Sequence, residues 1–94
     1  MGDDKRHQRR QRVLKNGRII TLDQRSVVNC MVRDVSGTGA RLKCGDQVAV
    51  PSEFLLQVGH ETTMRPAKAV WRRGSDIGII FTGQPVPVPR VYSR

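Results

Sequence analysis

"VVNCMVRDVSGTGARLKC", Val27–Cys44, reads as a strand, a turn and a second strand. In its first half Val28, Cys30 and Val32 alternate with Asn29, Met31 and Arg33; in its second, Ala40, Leu42 and Cys44 alternate with Arg41 and Lys43. A period of two marks a strand with one buried face. Between the halves, Asp34 and Ser36 are side chains that hydrogen-bond back to nearby backbone, and Gly39 permits a positive φ or a close backbone approach. With the bend at 34–39, Cys30 and Cys44 fall nearly opposite each other, as two small apolar core residues with reduced thiols. On these residues alone, Asp34, Ser36 and Gly39 suit both a plain turn and a site that offers an acceptor, a hydroxyl and open backbone.

Outward from this hairpin the same signal repeats. RIITL (Arg18–Leu22) precedes it, and QVAV, EFLLQV, AKAVWRR and IGIIF follow, punctuated by Gly, Pro, Asp and Ser. Helical periodicity is not sustained anywhere. Many short strands at regular spacing predict an all-β antiparallel barrel or sandwich. The end, TGQPVPVPRVYSR, places Pro85, Pro87 and Pro89 at alternate positions, which forbids an ordinary helix and predicts a chain that lies extended along the barrel or hangs free.

The chain has 94 residues and a formal net charge of +9, with a sequence pI of about 11.1. That size suits one domain with a modest core, and the charge calls for an anionic partner. The charge is uneven: residues 1–18 hold seven Lys or Arg and two Asp. Several classes are argued against. Cys30 and Cys44 form no CxxC pair and lie far from His7 and His60, so no zinc pattern exists. No apolar run approaches the ~18 residues of a membrane span. The first residues are hydrophilic, unlike a secretory signal, and Arg6 stands where a myristoylation motif needs Ser or Thr. The expected location is the cytoplasm. Nor does the sequence suggest an enzyme: Ser36 is not in a nucleophile elbow, His60 has only Glu61 beside it, and no carboxylate pair has the setting for acid–base work. No cofactor is expected.

Residues 1–12, MGDDKRHQRRQR, have no apolar residue after Met1 and add nothing to a core. Their basic residues are Lys5, Arg6, Arg9, Arg10 and Arg12. Bulk charge needs only lysine. Arginine offers a planar fork that binds phosphate or the guanine O6 and N7 bidentately and stacks on bases. Within this arm Arg6 and Arg10 form Arg-x-x-x-Arg, and 24 residues after Arg10 come Asp34, Ser36 and Gly39 as Asp-x-Ser-x-x-Gly.

Both motifs, in this order and at this separation, with the later AVWRRGSDIGIIF, resemble the PilZ domain family, which binds the bacterial second messenger cyclic di-GMP. The resemblance covers roughly residues 4–82. It implies a six-stranded antiparallel β-barrel at residues 13–83, preceded by a flexible basic arm (1–12) and followed by a Pro-rich tail (84–94). It implies that Arg6 and Arg10 grip guanine edges and phosphates, that Asp34 accepts from a guanine, that Ser36 contacts polar groups of the ligand, and that Gly39 keeps the turn open. Lys5 stands where family members often carry a further basic residue, in position to hold a second stacked ligand. Trp71 stands where an aromatic packs on the nucleotide; ordinary barrel packing is the other reading of it.

Many members of that family end in a helix, where this chain has its prolines. With no second domain in the 94 residues, the expected output is contact with a separate protein effector of unidentified type, in motility, biofilm or polysaccharide control, by a monomer or a ligand-linked dimer. Two other readings stand beside this one. The first is a small basic β-barrel that binds nucleic acid non-specifically, weakened by a single Trp, a single Tyr and two Phe as stacking platforms. The second is a PilZ-like adaptor that binds protein without ligand.

Overall fold

The computed structural model of the chain describes residues 11–45 and 48–88. Seven strands appear among them: β1 (Gln11–Ile20), β2 (Val27–Val35), β3 (Gly39–Lys43), β4 (Glu53–Val58), β5 (Thr63–Arg73), β6 (Asp76–Phe81) and β7 (Val86–Pro87). No helix occurs among the described residues. The strands hydrogen-bond in the order β4-β1-β2-β3-β6-β5, and β5 returns to β4, so six antiparallel strands close a barrel. Closure removes the exposed sheet edge that a chain this small has little else to cover. β1 begins at Gln11, two residues inside the segment expected to be the arm.

The interior is aliphatic. Ile19, Val32, Leu42, Leu56 and Ile77 pack around Phe54, with Cys30 and Cys44 at the side. As the hairpin reading expects, the two cysteines meet across β2 and the end of β3, both buried and both free thiols. Burial, with the neighbouring Cys44 thiol adding to it, pushes the Cys30 thiol up to about 12.

A second, smaller cluster lies on the outside of the barrel. Ile19 and Ile20 are consecutive on one strand, as are Leu55 and Leu56, so their side chains take opposite faces. Ile19 and Leu56 join the interior; Ile20 and Leu55, with Met64, form the outer cluster. Its cover is the start of the Pro-rich segment. β7 pairs antiparallel with Thr63–Met64, and Val86 and Val88 pack on the cluster. The Pro-Val alternation has a physical basis here. Valine supplies the inward apolar face and the ladder N–H, as where Val88 N–H donates to the Thr62 carbonyl (2.9 Å). Proline, with no N–H to give, is tolerated on such an edge strand.

The expected strand QVAV is not one: Val48–Val50 pair with no strand. Pro51 follows and restricts its predecessor while offering no ladder donor. Arg72 meets the first carbonyl of the segment from the side instead, along with two outside it. Arg72 Nη1 donates to Val48 O (2.8 Å), its Nη2 to Gly45 O (3.0 Å) and its Nε to Gly74 O (3.0 Å).

Candidate functional site

Simple alternation along β2 would send Asp34 inward after Val28, Cys30 and Val32. A β-bulge prevents this. Val32 is opposite Leu42, but Asp34 is opposite Arg41, so Arg33 is one residue more than β3 matches. The extra residue resets the phase. Val32 and Val35 both pack against the core, and Asp34 between them turns to Arg41, with Oδ2 3.0 Å from Nη2. The Asp34 side chain is nonetheless only 13% exposed, whereas the Arg41 side chain is 43% exposed. The Arg41 Nε is buried and meets no acceptor among the described residues.

The turn that follows is held from within and from behind. Ser36 N–H donates to Gly39 O (2.9 Å). The Ser36 hydroxyl oxygen accepts from the Thr38 and Gly39 N–H groups (3.3 Å each) and lies 3.3 Å from Gly39 O, to which it donates. This is a serine closing its own turn. Behind it, Phe81 N–H donates to Thr38 O (2.9 Å) and Arg65 Nη2 to Gly37 O (3.4 Å), while the Arg65 guanidinium rests 3.9 Å above the Phe81 ring. Of the two expected uses of Gly39, the structure shows the close approach. Its φ is not in the left-handed region, and a Cβ there would overlap the Ile79 carbonyl oxygen of β6.

A second bulge acts on β5. Ala69 is opposite Ile79 and Trp71 opposite Gly78, leaving Val70 as the extra residue. Trp71 is thereby set on the outer face, 47% exposed, with its indole over Gly78. That excludes ordinary core packing for this side chain. Put together, the pairings give one row across five neighbouring strands: the backbone of Arg12 beside Asp34, Asp34 beside Arg41, Arg41 beside Gly78, and Gly78 beside Trp71. A carboxylate, a guanidinium and an indole thus stand side by side, although their positions span nearly forty residues of sequence.

Next to this row opens a cleft of about 390 Å³, lined by Ser36, Thr38, Gly39, Arg41, Trp71 and Ile80. It lies at the small end of the usual range for ligand pockets. A larger cleft of about 860 Å³ runs along β1 past Lys15, Arg18, His60 and Glu61. It contains none of the expected site residues, so size here does not select the site; the convergence of acceptor, donor and aromatic does.

Four expected residues, Asp34, Ser36, Gly39 and Trp71, are therefore brought to one surface. Lys5, Arg6 and Arg10 lie outside the described residues. Their segment joins β1 at Gln11, whose partner on β2 is Val35, one residue from Asp34. Sequence reading missed Arg41 and Gly78. Both were visible, Arg41 as the polar alternate of ARLKC and Gly78 inside IGIIF, but only the bulges align them with Asp34 and Trp71. Among the described residues no group of His, Cys, Asp and Glu is arranged to hold a metal ion, and no helix is long and apolar enough to cross a membrane.

A family model described as the PilZ domain matches residues 4–90. Among solved structures, the chain is similar to the crystal structure of the PilZ domain of CeSA from a cellulose-synthesizing bacterium. The two share 17% identity with a TM-score of 0.61, over 81% of this chain and 82% of that one. At that identity the likeness is one of fold. No curated protein matches the chain.

Proposed function

The chain belongs to the PilZ domain family, and from that premise we propose that it is a receptor for cyclic di-GMP. PilZ domains generally bind this dinucleotide and serve as ligand-binding and adaptor domains rather than enzymes. The observation that supports the reading for this chain is the row Asp34–Arg41–Gly78–Trp71 beside the Ser36–Gly39 turn. Cyclic di-GMP presents two phosphates and two guanines. Asp34 supplies an acceptor for the N1–H and N2–H₂ donors of a guanine, and Trp71 supplies an exposed π face. Arg6 and Arg10 supply the cationic forks, and Lys5 adds a further positive charge. Closing their segment over the ligand offsets part of the interaction energy through ordering, and makes affinity fall with salt.

On this reading the protein acts in the cytoplasm, as a monomer or a ligand-linked dimer, and passes the signal to a protein effector in motility, biofilm or polysaccharide control. A non-specific nucleic-acid barrel is less well supported. Phe54 is buried and Phe81 lies beneath Arg65, so Trp71 is the one exposed aromatic among the described residues. Strand binding needs several such platforms.

Isothermal titration with cyclic di-GMP, cyclic di-AMP and GTP tests the proposal. Asp34→Asn keeps a good turn residue but loses the ionised acceptor, so it should remain folded and bind cyclic di-GMP about tenfold or more weakly, a loss of ~1.4 kcal/mol or above. Folded wild-type protein that gives no heat with cyclic di-GMP would refute the reading. Binding of single-stranded RNA that survives Asp34→Asn unchanged would favour the nucleic-acid alternative.

A further inference from the structure

We propose that Arg41, which neither Arg-x-x-x-Arg nor Asp-x-Ser-x-x-Gly includes, reads the O6/N7 edge of a guanine at this site, aimed by Asp34. The inference rests on the cyclic di-GMP reading above and extends it to a residue that determines base specificity.

Three observations carry it. The first is position. Arg41 sits between Asp34 and Gly78 in the cross-strand row and lines the same cleft as Trp71. Gly78 has no side chain to separate the guanidinium from the indole, and the indole leans into the space this leaves. The second is unused capacity. A guanidinium carries five N–H donors. Among the described residues Arg41 meets one partner, the Asp34 carboxylate, through Nη2. Its Nε is buried without an acceptor, so the donors left for a ligand are those of the two Nη groups that the Asp34 pair does not use. The third is preorganisation. The ion pair with a nearly buried Asp34 fixes where the fork points, while the side chain stays 43% exposed and so within a ligand's reach.

The chemistry then selects the base. Guanine offers two adjacent acceptors, O6 and N7, which match the fork; adenine offers N7 beside an N6 donor, which opposes it. The cleft's apolar side, Val70 and Ile80 with Trp71, suits the faces of a purine. Asp34 then serves twice: it accepts on its own account and it holds Arg41.

The test is a thermodynamic cycle with cyclic di-GMP and its 7-deazaguanine analogue, which lacks the N7 acceptor. Wild type and Arg41→Lys are compared. Lysine keeps the charge and a partner for Asp34 but loses the fork, and a thermal melt checks that the variant is folded. Arg41→Gln serves as a second variant. Wild type should bind the analogue about tenfold more weakly than cyclic di-GMP, the order expected for losing part of a bidentate contact. Arg41→Lys should bind cyclic di-GMP about tenfold more weakly and barely distinguish the two ligands. If wild type binds cyclic di-GMP but both variants discriminate against the analogue as wild type does, Arg41 is not the reader and the receptor assignment stands. The same holds if wild type binds both ligands equally. If wild type fails to bind cyclic di-GMP at all, the receptor assignment fails, and this inference with it.

Discussion

The Trp71 indole fills the space that a side chain at residue 78 would need: a Cβ on Gly78 would overlap its Nε1 and Cε2 atoms. The obstacle is the far end of a side chain that is itself half exposed, so it can swing aside. Gly78→Ala should therefore change stability by less than about 1 kcal/mol, yet move the indole off the row. Trp71 is the sole tryptophan, so its fluorescence reports the move directly. The expected outcome is a shifted emission maximum and cyclic di-GMP affinity reduced about fivefold or more. Unchanged emission and affinity would show that the indole's place over Gly78 is immaterial.

Gly39→Ala is the contrasting case, because the obstacle there is backbone. A Cβ would overlap the Ile79 carbonyl oxygen, and β3 and β6 would have to part. A cost of about 1–3 kcal/mol is expected for such overpacking. In a domain of this size each kcal/mol lowers the melting temperature by roughly 4–8 °C. A melting temperature equal to wild type would contradict the close approach described for this glycine.

The buried thiol predicts alkaline lability. Folding raises the Cys30 thiol from 9.0 to about 12, chiefly by desolvation. The folded state thus holds this proton more tightly than the unfolded chain does. Its contribution is complete below pH 9 and disappears as pH climbs from 9 towards about 12. The slope is roughly 1.4 kcal/mol per pH unit within that window. Urea denaturation of wild type and Cys30→Ala at about pH 8 and about pH 11 isolates it, since other groups titrate in both proteins. The stability gap between them should narrow at the higher pH; a constant gap would count against the buried thiol.

Val86→Asp tests the outer cluster. It sets a carboxylate against Ile20, Leu55 and Met64. The expected loss is about 1–3 kcal/mol in chemical denaturation. The row lies on another part of the sheet, so ligand affinity should not change. Full stability in the variant would mean that β7 does not cover the cluster.

The hairpin at Asp34, the strand-rich character and the meeting of Cys30 with Cys44 were legible because each follows from local alternation and turn chemistry. Closure into a six-stranded barrel came through the family resemblance rather than from the residues themselves. Three things were hidden for a common reason, that they depend on neighbours remote in sequence. The extra residues Arg33 and Val70 look like ordinary strand positions until their partners are known. Phe54–Gln57 in β4 is a continuous buried run because both faces of the strand are covered, one by the interior and one by Val86 and Val88. Val48–Val50 has strand-like composition, but it pairs with no strand, and Arg72 takes the Val48 carbonyl. For the site, Asp34, Ser36 and Gly39 could be named from spacing, whereas Arg41 and Gly78 acquire meaning only from register.

The row's dimensions are a property of the sheet. Its members sit on separate strands, so the interval between neighbours is the interstrand distance of about 4.8 Å. Hydrogen-bonded ladders set it, and connections do not. Turns such as Leu22–Ser26 or Gly59–Thr62 can therefore grow or shrink, accept tags or host inserted peptides while the recognition pattern keeps its scale. A one-residue slip of a single strand would erase it, because alternate residues face opposite ways. For anyone re-engineering this scaffold towards another purine, the permissive places are the connections, and the forbidden operation is any insertion within β2, β3, β5 or β6.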